Sequence, residues 1–506
     1  MKRLNALDTL QIHNCKSIQV VFELGGINVE RHDDPSTTQM RMSYCQNLDL
    51  IEIGSCESLK NILPVSVAKG LEQLRKLSVK NCDGVEAIVA KEGQKTTPNF
   101  VFPKATSMTF YGLLQIKCFY NGRYTSKWPL LNELWVNACP NVDIFASNFS
   151  RFQENLGSIQ PFFLIEKDSF PNLEHLTLGG TKLEIWDGPL PAEMFSKLKY
   201  LNIASPRFKS SYAFLQKLHN LEKFIVHDSL LEEIFVDQGN GSGQIHAVGT
   251  HLPHLTSLML KELSMLMHLG KENSQPVIPN LGILEVSFCG KLKNLSSLAI
   301  SFQNLTTLKV IGCQGLEYLI TSSIAQSLMQ LTHVEVKDCE RLVQIVGSSS
   351  EDEAGNEIAL NRLEHLELSG LPSLQCFFSG TMLSHQFTIC DEIEESDAKE
   401  NLDSAVQYFL FDKKVGLPRL ETLIVHDLHK LMRIWHEQLA PKRNICDISK
   451  FGVSTGEALW EIKESNVICN ILSESKIFGS SGMPRIGIFD TLFDSSKLNA
   501  TRTYGS

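Results

Sequence analysis

The residues of this chain best suited to metal or nucleophile chemistry are its 13 cysteines and 15 histidines. Zinc and redox sites need thiolates close together, most often as a Cys-x-x-Cys pair. No such pair occurs. Seven cysteines share one setting instead. Cys15, Cys56, Cys82, Cys139, Cys289, Cys313 and Cys339 each lie five residues past the first apolar residue of a short L-x-L core. A position filled once per period is a packing position. A small thiol suits it and offers a weak donor to nearby turn carbonyls. The cysteines therefore read as buried and reduced, in an intracellular chain, rather than as disulfides or metal ligands.

The histidines also fall into register. His175, His333 and His365 precede an L-x-L core by one residue, and His13, His227 and His426 follow its first residue by three. His333 and His365 belong to consecutive cores and are candidates for cross-strand neighbours. Metal binding or proton sensing is the functional reading. Exposed imidazoles on a tolerant surface are the commoner one, and the sequence favours it. The remaining catalytic signatures are missing. There is no G-x-x-x-x-G-K-[ST], H-E-x-x-H, G-x-S-x-G or kinase motif, and Gly479-Ser480-Ser481-Gly482 reads as a polar loop. No catalytic residue, no metal and no cofactor is expected, and the chain is not read as an enzyme.

The cores that place these residues recur along most of the chain. LEQLRKLSVKNCDGVEAI starts at Leu71, FQNLTTLKVIGCQGLEYL at Phe302 and LMQLTHVEVKDCERLVQI at Leu328. This is the leucine-rich repeat pattern. Its anchors are Leu10, Ile51, Leu77, Met108, Leu134, Leu176, Leu201, Phe224, Leu258, Leu284, Leu308, Val334, Leu366 and Leu423, about fourteen repeats. Each repeat supplies one strand whose alternate side chains face inward. Where cysteine is absent, its place falls to Leu113, Thr181, Pro206, Ser229, Leu263, Leu371 or Leu428. The expected fold is an α/β solenoid: an irregular horseshoe with a parallel concave β-sheet and a convex side of short helices or loops.

The array is expected over residues 1–440, interrupted by insertions at 236–250, 347–359 and 379–416, with a non-repeat tail at 441–506. The insertions read as solvated loops, the third acidic from Asp391 to Asp403 and ending in the apolar run Ala405 to Phe411. Two overlapping registers, one through Met40, Met42 and Cys45 and one through Ile51, Ile53 and Cys56, indicate a compressed second repeat. The chain opens inside a repeat, which is the mark of a fragment, because solenoid ends need polar caps. It has no apolar stretch for a signal peptide, and no run reaches the roughly 18 apolar residues of a membrane span. A net charge of −10 and a pI of about 5.9 argue against a nucleic-acid partner.

By register the concave face carries Lys76, Lys80, Tyr111, Trp135, His175, Tyr200, His333 and His365. Exposed aromatics are common anchors of protein interfaces, so these eight are the candidate partner-binding residues. Packing between neighbouring strands is the competing reading for Trp135.

Two segments carry a more specific likeness. They are FPKATSMTFYGLLQIKCFYNGRYTSKWPLLNELWVNACPNVDIFAS, from Phe102, and VGLPRLETLIVHDLHKLMRIWHEQLAP, from Val415, and along the array an F-P-x-L-x-x-L-x-L form at Phe102 and Leu360 alternates with an L-x-x-L-x-V-x-x-C form at Leu71, Trp128, Phe302 and Leu328. Residues 1–441 thereby resemble the C-terminal repeats of plant coiled-coil nucleotide-binding leucine-rich-repeat disease resistance proteins. The resemblance implies a protein-recognition module in plant defence. It would sense a pathogen effector or an effector-modified host protein, in the cytoplasm or nucleus, and in a full receptor would contact an intramolecular switch domain. The chain departs from the family in lacking the P-loop switch domain and the coiled coil. By itself it should neither bind nucleotide nor trigger cell death. Ala105, where the family has leucine, and the tail also depart. The alternatives are a repeat scaffold or ubiquitin-ligase substrate adaptor, which would need an N-terminal adaptor-binding helix where a repeat stands, and a truncated, non-functional resistance-gene product.

Overall fold

The computed structural model describes residues 6–22, 45–91, 97–142, 145–146, 162–164, 170–180, 195–206, 208, 218–235, 252–270, 278–296, 300–347, 357–378, 409–411, 414–435, 458–463 and 470–473. Every anchor begins the inward-facing part of a strand. In chain order the strands are β1 (Thr9–His13), β2 (Leu50–Gly54), β3 (Lys76–Lys80), β4 (Ser107–Tyr111), β5 (Glu133–Asn137), β6 (His175–Gly179) and β7 (Tyr200–Ala204). There follow β8 (Lys223–His227), β9 (Ser257–Lys261), β10 (Ile283–Ser287), β11 (Thr307–Ile311), β12 (His333–Lys337), β13 (His365–Ser369) and β14 (Thr422–His426). These fourteen pair in sequence order, all parallel. Two backbone segments, Ala458–Lys463 and Asn470–Ser473, continue the sheet antiparallel beyond β14.

The register is anchor to anchor throughout, as in Leu134↔Leu176, Leu284↔Leu308 and Leu366↔Leu423. A one-residue slip would turn every buried leucine outward, so burial enforces this register. The long insertion between β13 and β14 leaves it intact, because closing a longer surface loop costs little. The core lies between the sheet and an opposite wall, in one continuous apolar cluster.

Among the described residues that wall carries short parallel strands alongside the helices and loops expected. Asn61–Pro64, Ala87–Ala90 and Cys118–Tyr120 form one three-stranded group, and Tyr318–Thr321 pairs with Gln344–Gly347. The segments ILP, AIVA and CFY are rich in β-branched and aromatic residues, which favour extended backbone. Two helices occur among the described residues, Val65–Ala68 and Ser322–Ser327. The insertion 236–250 lies outside the described residues. The ends of the other two insertions are drawn into the wall. Ile358–Ala359 pairs with Val415–Gly416, and Phe409–Phe411 pairs with Arg433–Trp435, with Leu410 and Phe411 buried.

The turn after each strand uses a left-handed residue four positions past the anchor. Thirteen of the fourteen strands have one: glycine at 112, 180, 312 and 370, and elsewhere mostly Asn, Asp or Ser. Glycine, and after it asparagine and aspartate, adopt positive φ at least cost. The N–H of this residue extends the inter-strand ladder, as from Asn81 to the Tyr111 carbonyl. The exception is Ser205. Pro206 follows it and restricts it to extended backbone. In consequence Ser205 is buried and Pro206 exposed, so the core position expected at Pro206 shifts back by one. In the compressed second repeat the later register holds. Ile51, Ile53 and Cys56 are buried in β2 and its turn, while Met40 and Met42 lie outside the described residues.

Six of the seven turn cysteines are buried, and Cys15, beside the first strand, is only partly so. Each thiol donates to the carbonyl two residues earlier, for example Cys139 Sγ to Asn137 O at 3.4 Å and Cys339 Sγ to Lys337 O at 3.3 Å. Cys139 and Cys313 also reach a carbonyl of the preceding repeat. Burial pushes the thiols of Cys82 and Cys139 up to about 11 and that of Cys339 up to about 12. The thiolate is the reactive form, so these groups are inert in the folded chain. Of the described cysteines in native protein treated with iodoacetamide at neutral pH, the half-buried Cys15 and Cys376 take the label first. Cys82, Cys139 and Cys339 take it only after unfolding. Peptide mass mapping reads the order, and early labelling of Cys139 would disprove this account.

Candidate functional site

The first, third and fifth residues of each strand face away from the core and form three rows across the sheet. The first row runs Lys76, Ser107, Glu133, His175, Tyr200, Lys223 and on to His333 and His365. Trp135 stands in the middle row. Lys80 and Tyr111 are partners in the last row. All eight sequence candidates therefore lie on the concave face.

The structure brings them together in pairs. Tyr111 and Trp135 meet edge to face with centroids 6.5 Å apart, and Trp135 remains 40% exposed. His175 and Tyr200 lie 5.9 Å apart, and the Lys223 ammonium sits 5.8 Å from the Tyr200 ring centre. Such a cation–π contact contributes modestly at a surface. Burial raises the Tyr200 phenol above its ordinary value. His333 and His365 are direct partners, stacked at 5.8 Å. Thr332 Oγ1 lies 2.8 Å from His333 Nδ1, and Glu367 lies 3.9 Å from His365 Nε2. The packing reading and the interface reading of Trp135 both describe what is seen: one edge meets Tyr111, and the rest is open.

The two halves of the face differ in electrostatics. From β9 to β13 the lysines and glutamates neutralise one another. Lys261 pairs with Glu285 at 2.7 Å, Lys309 with Glu335 at 2.8 Å, and Lys337 with both Glu335 at 2.8 Å and Glu367 at 2.7 Å. Burial works against the charge of Glu335, but hydrogen bonds from Lys309 and Lys337 outweigh it and hold the carboxyl below its usual range. From β3 to β8, Lys76 and Lys80 form no ion pair with any described residue, and Glu133 on β5, like Glu52 on the adjoining β2, is engaged by a neutral donor. Ser107 Oγ donates to Glu133 at 2.9 Å, and Gln11 Nε2 to Glu52 at 3.2 Å.

Sequence reasoning missed an apolar group on the same face: Ile225, Met259, Ile283 and Ile311, at outward positions of β8 to β11. A search for polar and aromatic residues passes over them, although the register alone places them. It also missed Phe288, 57% exposed at the left-handed turn position with φ 57°. Among the described residues no group of three or more His, Cys, Asp or Glu is placed to hold a metal ion. No helix there is long and apolar enough to cross a membrane.

Comparison with solved structures finds matches at low similarity. A TLR13–ssRNA13 complex matches with 17% identity and a TM-score of 0.30, over 66% of this chain and 52% of that one. The present chain thus spans about half the length of that neighbour. An internalin (inlF) of Listeria monocytogenes matches with 13% identity and a TM-score of 0.31, over 72% of this chain and 82% of the internalin. A leucine-rich repeat protein of Leptospira interrogans matches with 18% identity and a TM-score of 0.26, over 65% and 74% of the two chains. No curated protein matches. The family described as plant disease resistance protein RPS2-like, leucine-rich repeats, matches residues 36–83, 171–301 and 295–390, together just over half of the chain. With the fourteen-strand sheet and its recurrent turn, this places the chain in the family of RPS2-like leucine-rich repeats of plant disease resistance proteins.

Proposed function

We propose that the chain is a protein-recognition module of plant defence, acting inside the cell, whose concave face senses a pathogen effector or an effector-modified host protein. In a full receptor the same array also holds a nucleotide-binding switch domain. The recognition unit is the array over residues 1–440, and the segment 441–506 lies outside it. The observation that carries the reading is the continuous sheet face with exposed Trp135 and Lys76, in a chain of the resistance-protein family. The buried, carbonyl-bonded turn thiols suit a reducing compartment.

The test is a two-hybrid screen of the full chain against effector libraries and plant proteins. A second bait carries Lys80→Glu, Trp135→Ala, Glu285→Ala and Lys337→Ala together, so that both halves of the face are altered. Interactors lost with the second bait support the reading. Interactors that bind both baits equally, or none at all, would overturn it.

A further inference from the structure

We propose that recognition is confined to the β3–β8 half of the concave face, and that this half fits a protein segment carrying carboxylates beside an aromatic side chain. The inference rests on the concave face being the recognition surface. It adds which part recognises, and what chemistry the partner brings.

The argument begins with the state of the charges. A lysine already bonded to a neighbouring glutamate gains little from a partner's carboxylate, and burying the pair costs desolvation. Lys261, Lys309 and Lys337 are in that state. Their ladder rigidifies β9 to β13 and presents a neutralised surface. Lys76 and Lys80 are not, and Lys223 lies near the Tyr200 ring and forms no ion pair with a described residue. An incoming carboxylate would be the first to pair with Lys76 or Lys80, and such complementarity raises both association rate and specificity. The chain is acidic overall, at −10, so a cationic patch on it is a local feature of this face.

Aromatic geometry points the same way. Tyr111 supports Trp135 at its edge and leaves the indole 40% exposed in the middle row of β5, two strands from Lys76 and Lys80 on β3. Rigid exposed aromatics are the usual high-energy centres of protein interfaces, and they prefer another ring in offset or edge contact. From β3 to β8 the face spans five strand spacings, roughly 24 Å at about 4.8 Å each. An extended segment of about seven residues covers that distance. The partner's carboxylates would reach Lys76 and Lys80 while its ring lies on Trp135.

The probe is a random glutamate–tyrosine copolymer, with a glutamate homopolymer and a lysine–tyrosine copolymer as controls, titrated against the full chain by fluorescence anisotropy. The glutamate–tyrosine polymer should bind about tenfold more tightly than either control. Lys80→Glu, Lys76→Glu and Trp135→Ala should each weaken it about fivefold or more. A paired Lys309→Gln, Lys337→Gln variant should change it less than about twofold. Matched circular dichroism melts establish that each variant is folded, and Trp135→Tyr serves in place of Trp135→Ala if the latter melts early. No binding by the wild-type chain, equal binding of the homopolymer, or equal losses from both halves would overturn the proposal. Failure of the broader reading looks different: interactors from the two-hybrid screen would then ignore substitutions in both halves. Interactors lost from a further bait carrying only Glu285→Ala and Lys337→Ala, but kept by one carrying only Lys80→Glu and Trp135→Ala, would keep the recognition reading and reject this assignment.

Discussion

Trp128→Ala should lower the stability of the array by about 3–5 kcal/mol, the usual cost of deleting a large buried aromatic. Trp128 is fully buried. Its indole stacks on Phe102 at 4.2 Å with planes 5° apart, and meets Phe119 and Phe163 edge to face at 5.6 and 6.0 Å. Its Nε1–H donates to Ser126 Oγ at 3.0 Å, so the substitution also strands a buried hydroxyl partner. These rings belong to different repeats, and they form the opposite wall behind β4 to β6. Stability in a solenoid is largely a sum of such neighbour contacts, so the loss falls on the interface between adjacent repeats. Urea unfolding followed by tryptophan fluorescence and circular dichroism should show an earlier first transition in the variant. Trp128→Phe, which keeps a ring on Phe102, should recover part of the loss. A midpoint for Trp128→Ala equal to wild type would mean that the aromatic wall does not hold these repeats together.

Much of this architecture can be read from the residues, because its determinants are local. An anchor such as Leu308, with Val310 two residues on and Cys313 five on, fixes one strand and one turn without reference to the rest of the chain. All fourteen anchors pair in the expected register for that reason. The concave placement of Trp135 and Tyr200 follows from the same period. What could not be read depends on two repeats at once. Whether a lysine is paired turns on which residue the next strand sets beside it: Lys309 meets Glu335, whereas Lys80 meets Tyr111. The signal was present as opposite charges in one row of consecutive repeats, but it needs the register before it can be used. The asparagines four residues before their anchors are similar. Asn172, Asn220 and Asn280 donate to a carbonyl of the preceding repeat, at 2.6, 2.5 and 2.8 Å, and the repeated Asn-Leu was their trace. Pro206 shows the opposite failure, where one residue overrode the period and the turn changed.

Gly315→Ala should destabilise the array by about 1–3 kcal/mol, while Gly290→Ala should leave it unchanged or raise it by about 0.4–1 kcal/mol. The two glycines face each other across one repeat boundary. A Cβ on Gly315 would stand 2.6 Å from the Gly290 carbonyl oxygen and 2.9 Å from that of Leu292, both backbone atoms that cannot rotate away. A Cβ on Gly290 would meet nothing within 4 Å. The constraint is therefore one-sided, and the spacing of repeats ten and eleven is set by the bare Cα of the later one. Gly84 repeats the arrangement seven residues past its own anchor, with a Cβ 2.3 Å from the Glu57 carbonyl oxygen. Close approach of these turns keeps β10 and β11 in hydrogen-bonding range, and Cys313 Sγ reaches back to the Val286 carbonyl across the same boundary. Alanine at 315 must wedge the turns apart and lengthen those bonds. Urea midpoints of the two single variants test the asymmetry, and hydrogen exchange at the amides of β11 locates it. Equal midpoints, or a loss at Gly290→Ala in place of Gly315→Ala, would show that backbone contact between turns does not set the repeat spacing.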